Sequence, residues 1–359
     1  MVELGVAQHL EKSRIGIAKN MHIQDELSSS WCYLSNDDVK SNVIFYVVEN
    51  ENLENAFSLA LRQFKTPNFE CENLKLKSFD TVHQINAKFN NADLNKPTTS
   101  SILIGADGKN SLVRRISNIQ TKTKKTTQIA LTAVVQSTNL VNVGFQRFTK
   151  FGPIALLPMT DDNFCLIWSL ERSVAEKLNA LNYEDFIKII NNNLKYNAST
   201  DGDCFPLINS VFSYINDDEP GQEVALKNII KGTRGRYILT NCIVDSMVSE
   251  RVALIGDAAH SLLPLAGLGF NTSILDIKNL VASMEKYARL GVDLGNENVL
   301  RDYNGKVMNY NKILNFTINA IDEIFRDTNI GSQFLRSFGM NIIRSSSFLK
   351  KSALQMANR

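Results

Sequence analysis

The chain has 359 residues, 44% of them hydrophobic and 21% charged, with a formal net charge of +2. That length allows one large domain or two smaller ones with a sizeable core, and so small a net charge provides no global field for nucleic acid. Five scattered cysteines with no C-x-x-C pair, and four histidines with no H-E-x-x-H set, argue against a disulfide framework and a resident metal. No apolar run is long enough to cross a bilayer, and the first residues, including Glu3, lack the pattern of a signal or transit peptide.

In chain order, residues 1–18 are expected to begin with a short helix and turn. Ile17, Lys19, Met21 and Ile23 alternate with other residues and predict a strand over 17–25; Val43 to Val48 is a second β-prone run. Leu53, Ala56, Phe57, Ala60, Leu61 and Phe64 recur at helical spacing, so 51–64 reads as an amphipathic helix, stopped by Thr66, Pro67 and Asn68. Residues 69–89 read as two strands and 90–100 as a loop. Ile102 to Ile104 is a buried strand. Asp107 and Gly108 then make a tight turn, and Ser111 is placed to cap a short helix. Residues 122–125 read as a solvated basic loop. The β-branched runs 129–135, 140–148, 154–157 and 164–168 predict an antiparallel sheet. Helices are expected over 171–195, over 205–217, and through most of 280–359, with apolar stripes over 303–324 and 332–357.

Residues 251–271 (RVALIGDAAHSLLPLAGLGFN) carry the clearest chemistry. Val252 to Ile255 reads as a buried strand, and Gly256-Asp257 as the turn that ends it. Gly267 and Gly269 let the backbone come close to a ligand because no Cβ intervenes. A helix then starts, with Ile274, Ile277, Leu280, Val281 and Met284 at helical spacing. A carboxylate at a strand end is a strong acceptor for a ligand hydroxyl, and a helix N-terminus favours negative charge.

This stretch resembles the second flavin-binding motif of the FAD-dependent aromatic hydroxylases. The resemblance implies that Gly256 and Asp257 sit against the ribityl chain of FAD. It places Pro264, Ala266, Gly267, Gly269, Phe270 and Asn271 along the flavin ring. The earlier Asp107-Gly108 turn resembles the same family's Asp-Gly motif, with Asp107 and Gly108 near the cofactor and Arg114 bracing the loop. Residues 148–158 (FTKFGPIALLP) resemble a segment of the ubiquinone-biosynthesis hydroxylases. With Val47 to Asn50 and the C-terminal helices, these landmarks fall in the order of the mitochondrial branch, which hydroxylates position five of a polyprenyl-hydroxybenzoate ring.

The implied fold is α/β (α+β): a partial Rossmann-like FAD domain, interrupted by an antiparallel-sheet substrate domain and followed by C-terminal helices. The expected division is an FAD-domain remnant interleaved with substrate strands over 1–100, the Asp-Gly segment over 101–120, a substrate sheet over 121–240, the Gly-Asp segment over 241–290, and helices over 291–359. Three departures stand out. The chain contains no G-x-G-x-x-G, the fingerprint that opens the family's sequences, and Met1 aligns after it. Leu268 and Ser273 replace the usual Gln and Gly, and Ile238 replaces a Pro. They raise the expectation that the chain alone holds FAD weakly. They also leave open a non-catalytic remnant or scaffold, as well as a hydroxylase of a soluble phenol.

The family's reaction transfers oxygen from reduced, O₂-reacted FAD to an electron-rich ring, so no catalytic triad is expected. The resemblance implies a polyprenyl-hydroxybenzoate-type substrate, electrons from a ferredoxin and its reductase, and contact with other ubiquinone-biosynthesis proteins. It also implies peripheral attachment to the matrix side of the mitochondrial inner membrane. Arg326, Arg336, Arg344, Lys350, Lys351 and Arg359, interleaved with apolar residues such as Phe334, Leu335 and Phe338, predict either a basic amphipathic helix suited to an anionic membrane surface or a solvated basic face on a helix that packs onto its own domain.

Overall fold

The computed structural model describes residues 4–39, 41–64, 76–81, 84–89, 98–124, 126–137, 139–195, 224–265 and 267–357. The helix expected over 205–217, the stop at Thr66–Asn68 and most of the 90–100 loop lie outside these residues, as does Ala266. Two compact units form: one from residues 1–67, 127–239 and 322–358, the other from 68–126 and 240–321.

The first unit is built on an eight-stranded sheet. Its centre follows the four β-branched runs, which become strands Gln128–Ser137, Val143–Thr149, Gly152–Pro158 and Asn163–Glu171, joined antiparallel. Alternation divides their residues between two faces. Leu131, Ala133, Phe145, Ile154, Leu156, Leu166 and Trp168 are buried in one core cluster with Ala175, Phe186, Ile190 and Leu194 from two helices. Those helices, Arg172–Asn179 and Tyr183–Leu194, replace the single helix expected over 171–195. The break comes from Asn182, whose Oδ1 accepts from the Asp185 N–H at 2.8 Å and so caps a new helix. On the opposite face two cross-strand rows, Thr132, Ile167 and Ala155, then Val134, Cys165 and Leu157, are only partly buried.

The strand expected over 17–25 is two strands, Ile15–Ala18 and Asn20–Asp25. They part at Lys19, whose N–H is drawn to the Asn142 carbonyl at 2.8 Å. The first pairs with Phe45–Val48. The second pairs parallel with Val143–Thr149 and antiparallel with Trp31–Ser35. Along Asn20–Asp25 the polar His22, Gln24 and Asp25 are buried more deeply than Met21 and Ile23. The helix Asn50–Arg62 forms as its spacing predicts, but Asn52, Ala56 and Ala60 are the buried positions, and Leu61 and Phe64 are exposed. Asn52 tolerates burial because it both accepts from Glu11 N–H and donates to Glu11 C=O.

At the C-terminus the stripe over 332–357 becomes helices Ile330–Ser345 and Ser347–Ala357. Of the six basic residues from 326 to 359, two do not face water. Arg336 is buried beside Asp25, and Arg344 is buried over the Trp31 ring at 3.7 Å. Arg326 pairs with Glu171, and Arg359 lies outside the described residues. The basic amphipathic helix is therefore not the one expected. Its outward face is apolar, with Phe334, Leu335 and Phe338 exposed.

In the second unit, Leu76–Asp80, Ile85–Phe89 and Thr98–Ser100 form a small antiparallel sheet, so the end of the expected 90–100 loop is a strand. The expected basic loop is also a strand: Thr121–Lys124 is exposed on every side chain yet pairs with Asn241–Val244. A third sheet joins Val248–Ser249, Val252–Leu254 and Leu103–Gly105. Ile104, expected to be buried, is 41% exposed because its strand lies at the edge of that sheet. Two long helices follow, Gly269–Ala288 and Glu297–Arg326, the residues of the second up to 321 belonging to this unit. Among the described residues no helix is long and apolar enough to cross a membrane.

Candidate cofactor site

The two motif strands lie side by side. Val252–Leu254 pairs parallel with Leu103–Gly105, in the register Val252 to Leu103 and Leu254 to Gly105. The Ile255 N–H continues the ladder to the Gly105 carbonyl at 3.0 Å. Parallel pairing puts both carboxyl ends at one edge, so the Asp107-Gly108 and Gly256-Asp257 turns emerge together although about 150 residues separate them in sequence. That edge is where parallel α/β sheets hold their ligands.

Each turn has an identifiable cause. Asp107 Oδ2 accepts from the backbone N–H groups of Leu112 (2.6 Å) and Val113 (3.2 Å), and Ser111 Oγ accepts from Arg114 N–H at 2.9 Å. Together they cap the short helix Leu112–Ile116. Asp107 thus works on its own loop. Arg114 spans both turns: Nη1 donates to the Ala258 carbonyl at 2.7 Å and Nη2 to the Lys109 carbonyl at 2.8 Å. It therefore ties the Asp107-Gly108 loop to the Gly256-Asp257 turn. Gly256 has φ +58°, and a Cβ there would lie 2.8 Å from Ser273 Oγ, so glycine is required both for backbone conformation and for space. Asp257 stands exposed beyond it, its neighbours Gly256 and Ala258 buried.

The chain then runs through Pro264 to the start of helix Gly269–Ala288. Gly267 has φ +62°, and a Cβ at Gly267 or Gly269 would meet nothing within 4 Å, so this backbone faces open space. The helix has no side-chain cap at Leu268 and no acid in its first turn. Its leading N–H groups therefore remain available to an anionic or carbonyl-rich ligand edge. Phe270 and Asn271 are exposed on that first turn. Ser273, at the position expected to be bare backbone, turns its hydroxyl back to the Gly269 carbonyl at 2.8 Å.

A buried polar network behind the turn was not anticipated from the sequence. Asp276 Oδ2 accepts from Gly256 N–H at 3.0 Å and lies 2.6 Å from His260 Nε2; Oδ1 accepts from Asn311 Nδ2 at 3.3 Å. Asp276 and His260 are both fully enclosed. Nearby, the Tyr303 hydroxyl donates to the Leu254 carbonyl at 2.8 Å; burial, with Asp276 adding to it, pushes its pKa up. The helix therefore buries Thr272, Asp276, Leu280 and Ser283, while Ile277 and Val281 of the expected apolar stripe are exposed. A carboxylate one helical turn before a buried leucine was the sequence signal for this.

These groups fit the flavin half of FAD: an exposed carboxylate for a ribityl hydroxyl, unobstructed glycine backbone for a flat ring, and an uncapped helix start for its electron-rich edge. Comparison with known proteins agrees. Residues 233–296 match the family model described as FAD binding domain. The chain is 27% identical to the ubiquinone biosynthesis monooxygenase COQ6 of Schizosaccharomyces pombe over 97% of this chain and 76% of that protein. It is COQ6-like. The COQ6 protein of Caenorhabditis elegans is 26% identical over 96% of the chain and 78% of its own length, and that of Saccharomyces cerevisiae 32% identical over 67% and 55%. The COQ6-like chain also has the fold of solved FAD-dependent monooxygenases. PqsL of Pseudomonas aeruginosa, in complex with 2-aminobenzoylacetate, superposes with a TM-score of 0.70 at 16% identity, covering 93% of this chain and 84% of PqsL. HpxO of Klebsiella pneumoniae, complexed with FAD and uric acid, gives 0.66 at 15% identity, covering 100% and 84%.

Proposed function

We propose that this COQ6-like chain is an FAD-dependent monooxygenase that hydroxylates the aromatic ring of a polyprenylated hydroxybenzoate intermediate in ubiquinone biosynthesis. The observation that carries the reading is the parallel pairing of Val252–Leu254 with Leu103–Gly105, which brings both flavin-type turns to one sheet edge in a chain that matches COQ6 proteins along most of its length. FAD, when bound, supplies the oxygen chemistry. Asp257 would accept from a ribityl hydroxyl. Pro264, Gly267, Gly269, Phe270 and Asn271 would hold the flavin ring, and the first N–H groups of helix Gly269–Ala288 would stabilise negative charge on it. Asp107, Gly108 and Arg114 hold the second turn in place. The partly buried rows around Ile167 and Leu157 offer an apolar floor for the substrate ring and its tail.

The finer reading follows from the same resemblance: hydroxylation at ring position five, electrons from a ferredoxin and its reductase, and work beside other ubiquinone-biosynthesis proteins. We place the protein peripherally on the matrix face of the mitochondrial inner membrane. The contact is the exposed aromatic face of helix Ile330–Ser345, in a tail that carries no acidic residue after Asp327.

The test is FAD uptake by the purified chain, followed by product analysis with a short-chain prenyl-hydroxybenzoate and a chemical reductant. Wild type is expected to bind FAD weakly but measurably and, at saturating FAD, to give a hydroxylated ring. Asp257→Ala is expected to weaken FAD binding about tenfold or more, the loss of a charge-assisted hydrogen bond. Stoichiometric FAD in Asp257→Ala would remove Asp257 from the site.

A further inference from the structure

The sequence resemblance assigns roles to residues that face the cofactor. The structure adds one that does not. Asp276 is buried seven residues into the helix Gly269–Ala288, and its carboxylate gathers three donors from three different segments: Gly256 N–H at the end of a strand, His260 Nε2 beyond the turn, and Asn311 Nδ2 on the next helix. A carboxylate has acceptor capacity for all three and donates to none of them. His260 Nε2 lies 2.6 Å from Oδ2, and in the tautomer with its proton on Nε2 it donates to the carboxylate. The helix that presents its N-terminus at the site is thereby tied, about two turns down, to the glycine that sets the direction of Asp257. No other described side chain hydrogen-bonds Gly256 N–H.

We propose that Asp276 is the positioning residue of the cofactor site, its buried carboxylate locking Gly256, His260 and Asn311 so that Asp257 and the helix N-terminus keep a fixed separation. The proposal rests on the flavin reading above. Asp276→Asn keeps the shape but removes the charge: its amide can serve Gly256 and His260 only with Oδ1 turned to them, and its NH₂ then faces Asn311, whose amide must turn to offer the Oδ1 that has no partner in the wild type. The variant thus exchanges charge-assisted hydrogen bonds for weaker neutral ones and rearranges the Asn311 end of the lock.

The experiment titrates FAD into the full chain by flavin fluorescence and compares wild type, Asp276→Asn, Asn311→Ala and Ser283→Ala. Ser283 is buried on the same helix face but bonds only within the Asp302 and Lys306 group, so it reports general loosening of the helix. Asp276→Asn is expected to raise the FAD Kd about tenfold or more and Asn311→Ala a few-fold. Ser283→Ala should leave Kd unchanged even where it lowers Tm. The His260 ring ¹⁵N resonances, read without flavin, should shift in Asp276→Asn as Nε2 meets a neutral amide in place of a carboxylate. Asn311→Ala keeps the test decisive if Asp276→Asn does not fold. Wild-type Kd in both network variants, or an equal loss in Ser283→Ala, overturns the proposal. A wild-type chain that takes up no FAD overturns instead the flavin reading beneath it, and the His260 resonances still decide whether the lock exists.

Discussion

His22 shows how far a single side chain can depart from its apparent place in a pattern. It lies buried between Trp31, Tyr33 and Phe145, edge to face with each, and no described group bonds its Nε2. Burial lowers its pKa from 6.5 to about 4. Between those values the unfolded chain binds a proton that the folded chain does not, so stability rises with pH across that window and is lost as pH falls from 6.5 towards 4. The full effect of one such group is about 3 kcal/mol at most. Urea melts at pH 4.5 and 7.5 should show wild type losing stability at the lower pH. His22→Phe, which suits the aromatic surroundings, should lose distinctly less, and an equal loss would show that His22 does not titrate in this way.

At the scale of elements, the helix Ile330–Ser345 is held to the large sheet's unit by charge as well as by apolar packing. Arg336 Nε lies 3.6 Å from Asp25 Oδ2, and its two Nη atoms donate to the Phe325 and Asp327 carbonyls at 3.0 Å each. Asp25 also accepts from Ser28 N–H and Oγ, and its burial pushes its pKa up. Removing one partner of an enclosed pair leaves the other charge uncompensated, so Arg336→Ala should cost roughly 3–5 kcal/mol. The double variant Asp25→Asn with Arg336→Met should recover part of that loss in denaturant melts. Additive losses would mean that the two residues stabilise separately. The same placement explains why these arginines do not serve the outer surface: one closes an ion pair and another lies over a tryptophan ring.

For the whole molecule, the proposed membrane contact rests on an exposed aromatic face. Phe334 and Phe338 stack 5.8 Å apart on the exposed side of their helix, beside the exposed Leu335, with Phe348 exposed on the next helix. Apolar insertion is weakly sensitive to salt, unlike attraction by a basic patch. Co-sedimentation with cardiolipin-containing vesicles should fall several-fold in the double variant Phe334→Ser and Phe338→Ser, given about 1.5–3 kcal/mol for fully burying each ring. It should change little between low and high salt. Strong salt sensitivity with no effect of the double variant would return the contact to Lys350 and Lys351.

The sequence by itself determined the order of elements, because each is encoded locally: β-branched runs made the antiparallel sheet, helical spacing made Asn50–Arg62, Gly108, Gly256 and Gly267 marked their turns through backbone conformations that few other residues adopt, and Asp107 marked its own by accepting from the next helix's N–H groups. It also determined the kinship, since residues 251–271 and 148–158 are motifs readable without coordinates. Which face of an element is buried was decided only by tertiary structure. Ile277 and Val281 carry the apolar spacing, yet Thr272, Asp276 and Ser283 go inside, because burial of a polar group depends on partners contributed by distant segments. Arg336 and Asp25 are 311 residues apart and Asp276 and Asn311 are 35, and no local periodicity records either pairing. The convergence of the two flavin-type turns is of the same kind: parallel strands need a long crossover, so their adjacency is a property of topology that neither motif contains.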